Sequence, residues 1–134
     1  MKLAGVACFP GLDAPIPNFV GAERAARLLC ELPMWKRARV VKLGCDAPQL
    51  ALRRAALRDG KIVYLAIPGL RSERCFVELD PERLGTKVVR VSSIVGAMQF
   101  GRLVAPSEMR PVDLIVCGSV AVTRQGGRLG RGGG

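Results

Sequence analysis

From residue 18 onward, segments with helical spacing of small and apolar residues alternate with short β-branched apolar runs. That alternation is the pattern of βαβ units, in which the connecting helices cover a parallel sheet. The first helix reads from Asn18, a candidate N-cap, through FVGAERAARLLCEL. Ala22, Ala25, Ala26, Leu29 and Leu32 share one side of it, and Pro33 is its stop. Residues 38–43 (ARVVKL) read as a buried strand. Asp46 then serves as a candidate cap, with Pro48 in the first turn of a helix running through QLALRRAALRD to Gly60. Residues 61–67 predict a second strand, closed by Pro68 and Gly69. Residues 74–80 predict a third, 87–92 a fourth or an extended connection, and 92–101 a short helix ended by Gly101. Residues 112–118 (VDLIVCG) predict a fully buried strand, which 119–123 extend or follow.

Sheets of this kind bind ligands beyond the carboxyl ends of their strands. Asp46, the Pro68-Gly69 pair and residues 124–134 each follow a predicted strand, so right-handed crossovers would align them on one rim. A chain of 134 residues is long enough for one domain. A hydrophobic content of 49% supports a core, and 4% aromatic content makes that core aliphatic. Few aromatics also argue against a platform for single-stranded nucleic acid, where bases stack on rings. No RRM or KH signature is present. The net charge of +10 points either to an anionic partner or to a basic, soluble surface. Nucleic acid, a polyanionic cofactor and a nucleoside triphosphate all qualify as that partner. Arg110, Arg124, Arg128 and Arg131 gather near the C-terminus among glycines.

Histidine is absent, which removes the usual imidazole base and histidine-ligated metals. The five cysteines have neither zinc nor redox spacing, and their apolar neighbours predict buried free thiols for most of them. Such thiols fit a reducing, cytoplasmic setting. No apolar run reaches the roughly 20 residues that a membrane span needs. The N-terminal MKLAGVACFPGL, interrupted by Gly5 and Pro10, makes a poor signal peptide.

The segment GGRLGRGGG (126–134) carries the strongest chemical signal. Glycines let backbone N–H groups converge on an anion, and Arg128 and Arg131 add guanidinium donors matched to phosphate. A glycine-rich tail without structure is the competing reading.

The stretch VDLIVCGSVAVTRQGGRLGRGGG resembles the 5-formyltetrahydrofolate cyclo-ligase (methenyltetrahydrofolate synthetase) family, in which a hydrophobic strand leads to G-x-R-L-G-x-G-x-G. IPNFVGAERAA, ELPMWKRARVVKLGCDAPQ, CFVELDP and SSIVGAMQFGR extend the likeness, in the style of the archaeal-type and synthetase-domain-containing branch. The resemblance implies one α/β domain over 1–134, three-layered with a mainly parallel sheet (NagB/RpiA-like) and incomplete at its termini. It implies ATP-dependent cyclisation of 5-formyltetrahydrofolate to 5,10-methenyltetrahydrofolate, with ATP, Mg2+ and a reduced folate or related pterin as partners. Arg128, Leu129, Gly130, Arg131, Gly132, Gly133 and Gly134 match the ATP-contacting loop. Arg131, Gly132, Gly133 and Gly134, together with Val41 and Asp46, match positions facing folate. Asp46 is equally a helix cap, Val41 is equally core, and Phe76 could line the pocket or face the core.

The family's first helix, with a Lys and an Arg on phosphate, has no counterpart here, and neither does the aromatic pair with the magnesium-binding Asp expected after Gly134. Gly69 stands where Arg is usual. The chain therefore reads as an interior piece of the domain, with little or no cyclo-ligase activity expected of it alone. The alternative is a non-catalytic module that uses its basic rim for RNA or another polyanion. Self-association is a further expectation, because a missing terminal helix would leave one sheet face uncovered.

Overall fold

A computed structural model describes residues 2–3, 7–8, 16–67 and 72–130. Two short antiparallel strands, β1 (Lys2–Leu3) and β2 (Ala7–Cys8), precede the main body. There follow α1 (Ala22–Glu31), α2 (Pro33–Arg37), β3 (Val40–Leu43), α3 (Leu50–Arg58), β4 (Ile62–Ala66) and β5 (Phe76–Leu79). Three short helices, α4 (Pro81–Leu84), α5 (Val88–Val91) and α6 (Ile94–Phe100), lead to β6 (Arg102–Val104) and β7 (Leu114–Ile115). A hairpin of β8 (Ala121–Val122) and β9 (Arg128–Leu129) comes last.

The central sheet has the order β6-β5-β4-β3-β7. β4, β3 and β7 are mutually parallel, whereas β5 runs antiparallel to β4, and β6 antiparallel to β5. The sheet is therefore mixed, with β5 alone opposing the rest. The carboxyl ends of β3, β4, β6 and β7 share one rim.

One face of the sheet presents Val41, Leu43, Val63, Leu65, Val77 and Leu79 to Ala26, Trp35, Leu52, Ala56, Leu84, Val91 and Ala97, so all six helices contribute to the core there. The opposite face carries Val40, Tyr64 and Val104, joined by Ile62, Phe76, Met109 and Val112. No described helix covers that second face. Residues 105–113 cross it from β6 at one edge to β7 at the other. Arg110 N–H donates to the Tyr64 hydroxyl (3.0 Å) and Asp113 N–H to the Val40 carbonyl (2.9 Å). The expected three layers are thus two among the described residues, with an irregular strap in place of the third.

Local chemistry explains several departures from the sequence reading. The first helix begins at Ala22 behind Gly21 (φ 96°) rather than at an Asn18 cap. Pro33 does end it, but by opening α2: the residue before proline is pushed to extended geometry, and proline suits the first helical turn. α2 buries Trp35, whose indole N–H donates to Asp59 Oδ2 (3.2 Å), while Lys61 Nζ donates to the Trp35 and Ala38 carbonyls (2.8 and 2.6 Å). The run 87–92 is helical, not extended: with one turn of helix between them, Val88 and Val91 face the core and Val89 is left 83% exposed. Packing overrides β-branched propensity there. β6 was not anticipated. The strand expected over 112–118 is two residues long and, having only β3 as neighbour, leaves Ile115 58% exposed. Of the described cysteines, Cys75 is buried, Cys30 and Cys45 are half-buried and Cys117 is exposed, so burial of most thiols does not hold. Among the described residues no helix is long and apolar enough to cross a membrane.

Candidate functional site

The turn after β3 is held by side chains from the start of the next helix. Gln49, 4% exposed, accepts from Gly44 N–H through Oε1 (2.7 Å), and its amide nitrogen donates to the Val116 carbonyl just past β7 (3.4 Å). Arg53, one helical turn on and 3% exposed, donates to the Gly44 and Asp46 carbonyls (2.8 and 3.1 Å) and to Ser92 (2.9 Å). A rigid guanidinium fork thereby gives three carbonyls a donor, of which the Asp46 carbonyl also accepts from Gln49 N–H (3.1 Å). Burial lowers its pKa from the ordinary arginine value.

Asp46 is aimed by this framework. It occupies the N-cap position of a 3-10 turn, Ala47–Gln49, but makes no side-chain capping bond. Its Oδ1 instead accepts from Ile16 N–H (3.2 Å). Across the rim, Gly118 leaves room for the carboxylate: a Cβ at 118 would sit 2.7 Å from Ile16 Cδ1 and 3.2 Å from Asp46 Oδ2. Asp46, Gln49 and residues 116–119 border a cavity of about 240 Å³, whose remaining wall is largely apolar and includes Ile16, Phe19, Ala26, Leu29 and Leu52. Next to Asp46, Cys45 donates its thiol to the Ala66 carbonyl (3.4 Å). Its pKa is raised, first by burial and then by the Asp46 charge, against an opposing pull from Arg53. At neutral pH this sulfur is a packed thiol and not a nucleophile.

The glycine-rich segment begins as a hairpin, not as an open loop. Gly126 (φ 89°) turns the chain, and Gly127 N–H donates to Thr123 Oγ1 (2.9 Å), so that donor is already engaged. β9 then brings Leu129 back to Val120, whose N–H donates to the Leu129 carbonyl (2.8 Å). Val120 follows Ser119 of the cavity wall, so Leu129 pairs with the chain just past that wall, while residues 128–130 do not themselves line the cavity. Arg128 and Leu129 are exposed, and the Arg128 guanidinium lies over Gly130, 3.0 Å from where a Cβ would stand. Arg131, Gly132, Gly133 and Gly134 lie outside the described residues, as do Pro68 and Gly69.

Val41 is fully buried, paired with Val63 and Leu114 in mid-sheet, and belongs to the core rather than to a pocket wall. Phe76, half-buried, packs on the strap-covered face with Val40 and Tyr64. Asp46 and residues 116–119 therefore share one cavity, while Val41 and the described glycine-segment residues 126–130 do not line it. Gln49, Arg53 and Gly118 were not singled out from the sequence. The Gln49/Arg53 spacing of one helical turn was a visible signal for the first two, whereas Gly118 needed the tertiary contact. The exposed Arg128 guanidinium on the hairpin is of a chemistry that suits phosphate. Among the described residues no cluster of three Cys, Asp or Glu is placed to hold a metal ion, so no step is assigned to Mg2+.

The sequence profile of the 5-formyltetrahydrofolate cyclo-ligase family matches residues 12–134. The chain is 36% identical over 135 residues to a methenyltetrahydrofolate synthase domain-containing protein of Bos taurus, covering 98% of this chain and 35% of that one. The Danio rerio protein of the same description is 37% identical over 119 residues, covering 87% of this chain and 31% of its own length. The Homo sapiens protein is 31% identical over 135 residues, covering 98% and 35%. The chain thus spans about a third of the length of these curated relatives. No solved structure matches it. The chain belongs to the 5-formyltetrahydrofolate cyclo-ligase family.

Proposed function

We propose, from that family membership, that this chain carries the pterin side and part of the nucleotide side of a cyclo-ligase site, serving ATP-dependent conversion of 5-formyltetrahydrofolate to 5,10-methenyltetrahydrofolate. The observation that carries this reading is the cavity at the sheet's carboxyl rim where Asp46 faces Gly118, whose strand continues into the hairpin that bears Arg128.

In this reading the Asp46 carboxylate accepts hydrogen bonds from the amino and ring N–H groups of the pterin. Gln49 and Arg53 fix the turn that aims it, and the apolar wall excludes water from the ring. Arg128 and the backbone around Gly130 neutralise phosphate oxygens, with Arg131, Gly132, Gly133 and Gly134 proposed to complete that contact. Bound ATP supplies the phosphoryl group that turns the formyl oxygen into a leaving group for ring closure. Positioning and charge neutralisation do most of this work, so the absence of histidine is no obstacle. The competing reading, a basic module for RNA, rests on the net charge of +10. Among the described residues it gains one exposed ring, Phe19, since Trp35 and Tyr64 are buried and Phe76 and Phe100 are half-buried.

Titration calorimetry with 5-formyltetrahydrofolate tests the proposal. Saturable binding is expected. Asp46→Asn keeps an acceptor for Ile16 N–H while presenting N–H to the pterin, and should weaken binding about tenfold, some 1.4 kcal/mol. Equal affinity in the variant, or no binding by the wild type, would overturn the assignment.

A further inference from the structure

A second cavity of about 380 Å³ opens beside the first, between α1 and the start of α3. Phe19, Ala22 and Pro48 line both, so the two share a wall. Their chemistry differs sharply. The rim cavity is largely apolar apart from Asp46 and Gln49, whereas the second is bordered by Arg24, Arg27 and Arg54. Arg24 and Arg27 lie three residues apart on α1, hence on one helical face, and Arg54 approaches from α3. None of the three forms an ion pair with a described residue. Glu23 is the single carboxylate in the lining. Three guanidinium groups around one concavity repel each other, and an anion placed among them relieves that repulsion.

We infer that this groove is an anion subsite continuous with the rim cavity, taking either the carboxylate end of a ligand whose ring lies against Asp46 or the phosphates of a second ligand bound beside it. The inference rests on the reading of the rim as a pterin site. A flat ring suits the apolar chamber, and the neighbouring arginines suit the charged end that must leave it past Phe19, Ala22 and Pro48. Two sources share this chemistry: the γ-linked glutamate carboxylates of a folate, and the phosphates of a nucleotide.

The test compares the wild type with the triple variant Arg24→Gln, Arg27→Gln, Arg54→Gln, all at exposed positions. Binding is measured by calorimetry for 5-formyltetrahydrofolate with one glutamate, for the same compound with three γ-linked glutamates, and for inorganic tripolyphosphate. If glutamate carboxylates occupy the groove, the wild type binds the triglutamate roughly fivefold tighter than the monoglutamate, and the variant loses that ratio. If phosphates occupy it, the variant loses tripolyphosphate while the two folates bind the wild type alike. Either loss supports the subsite, and binding of all three probes unchanged by the variant overturns it. Should the wild type bind neither folate, the pterin reading fails, and the tripolyphosphate arm decides the subsite by itself. Arg54→Gln alone serves as the second variant if circular dichroism shows the triple one misfolded.

Discussion

The turn after β3 and the hairpin after β7 are built in opposite ways. The turn 44–49 is fixed by buried polar side chains: Gln49 and Arg53 reach into it from the following helix and satisfy its backbone groups one by one. The segment 120–130 has its exposed strand residues held by backbone pairing and by one threonine hydroxyl. The first presents a carboxylate at a defined place, and the second presents glycines and an arginine that can follow a ligand. A ring with fixed N–H positions is best met by the former, and a polyphosphate with many equivalent oxygens by the latter.

Substitutions can break or sharpen that contrast. The largest effect is expected for Arg53→Met, which removes the side-chain donor from the Gly44 and Ser92 carbonyls and one of two donors from Asp46, and should cost about 3 kcal/mol of unfolding free energy, measured by urea titration. A loss below about 1 kcal/mol would mean that the turn is not held as described. Gly118→Val should cost roughly 2 kcal/mol by driving a side chain into Ile16 and Asp46. It should also weaken 5-formyltetrahydrofolate binding, while ADP affinity stays unchanged. Arg128→Ala in the hairpin should do the reverse, leaving stability within about 0.5 kcal/mol while ADP affinity falls about tenfold.

The smallest effect concerns the strand that joins the two segments. The Asp113 carboxylate accepts from the Arg39 and Val40 N–H groups (both 2.9 Å), fixing the start of β7 beside β3. Those two bonds hold its pKa below the ordinary carboxylate value, Val40 first. A depressed folded pKa means stability that is present above the unfolded pKa and lost as pH falls through the folded one. Asp113→Asn should therefore lower the melting temperature slightly at neutral pH, with the difference from wild type shrinking as the solution is acidified below the ordinary carboxylate range. A difference that grew on acidification would contradict this assignment.

Much of the framework was legible in the sequence because it is local. Residues 38–43 and 61–67, the helix between them with Gly60 past its end, and the short helix ended by Gly101 all follow from spacing and end signals. The shared rim expected of Asp46 and residues 124–134 is found instead between Asp46 and residues 116–119. What escaped depends on contacts distant in sequence. The reversed direction of β5 is set by its pairing with β4, and the helical state of 88–91 by the place of Val91 in the core. Val41 suits a pocket wall or a core equally well until its neighbours on both sides are known. The hairpin within the glycine segment was hidden for the opposite reason: Gly126 and Gly127 fit a turn as readily as an anion cradle, and Thr123 decides for the turn.

The strap 105–113 has a consequence for how the molecule comes together. β3, β4, β5 and β6 neighbour one another in chain order, so each can add to the strand made just before it. β7 has to travel across an entire face to reach β3, a long-range closure that is slow to form. The strand that leads into the ligand rim should thus be the last to dock, and the rim should mature after the body of the protein. Trp35, the single tryptophan, sits in the part built first and gives a fluorescence clock for it. On refolding, recovery of ligand binding should lag behind that signal.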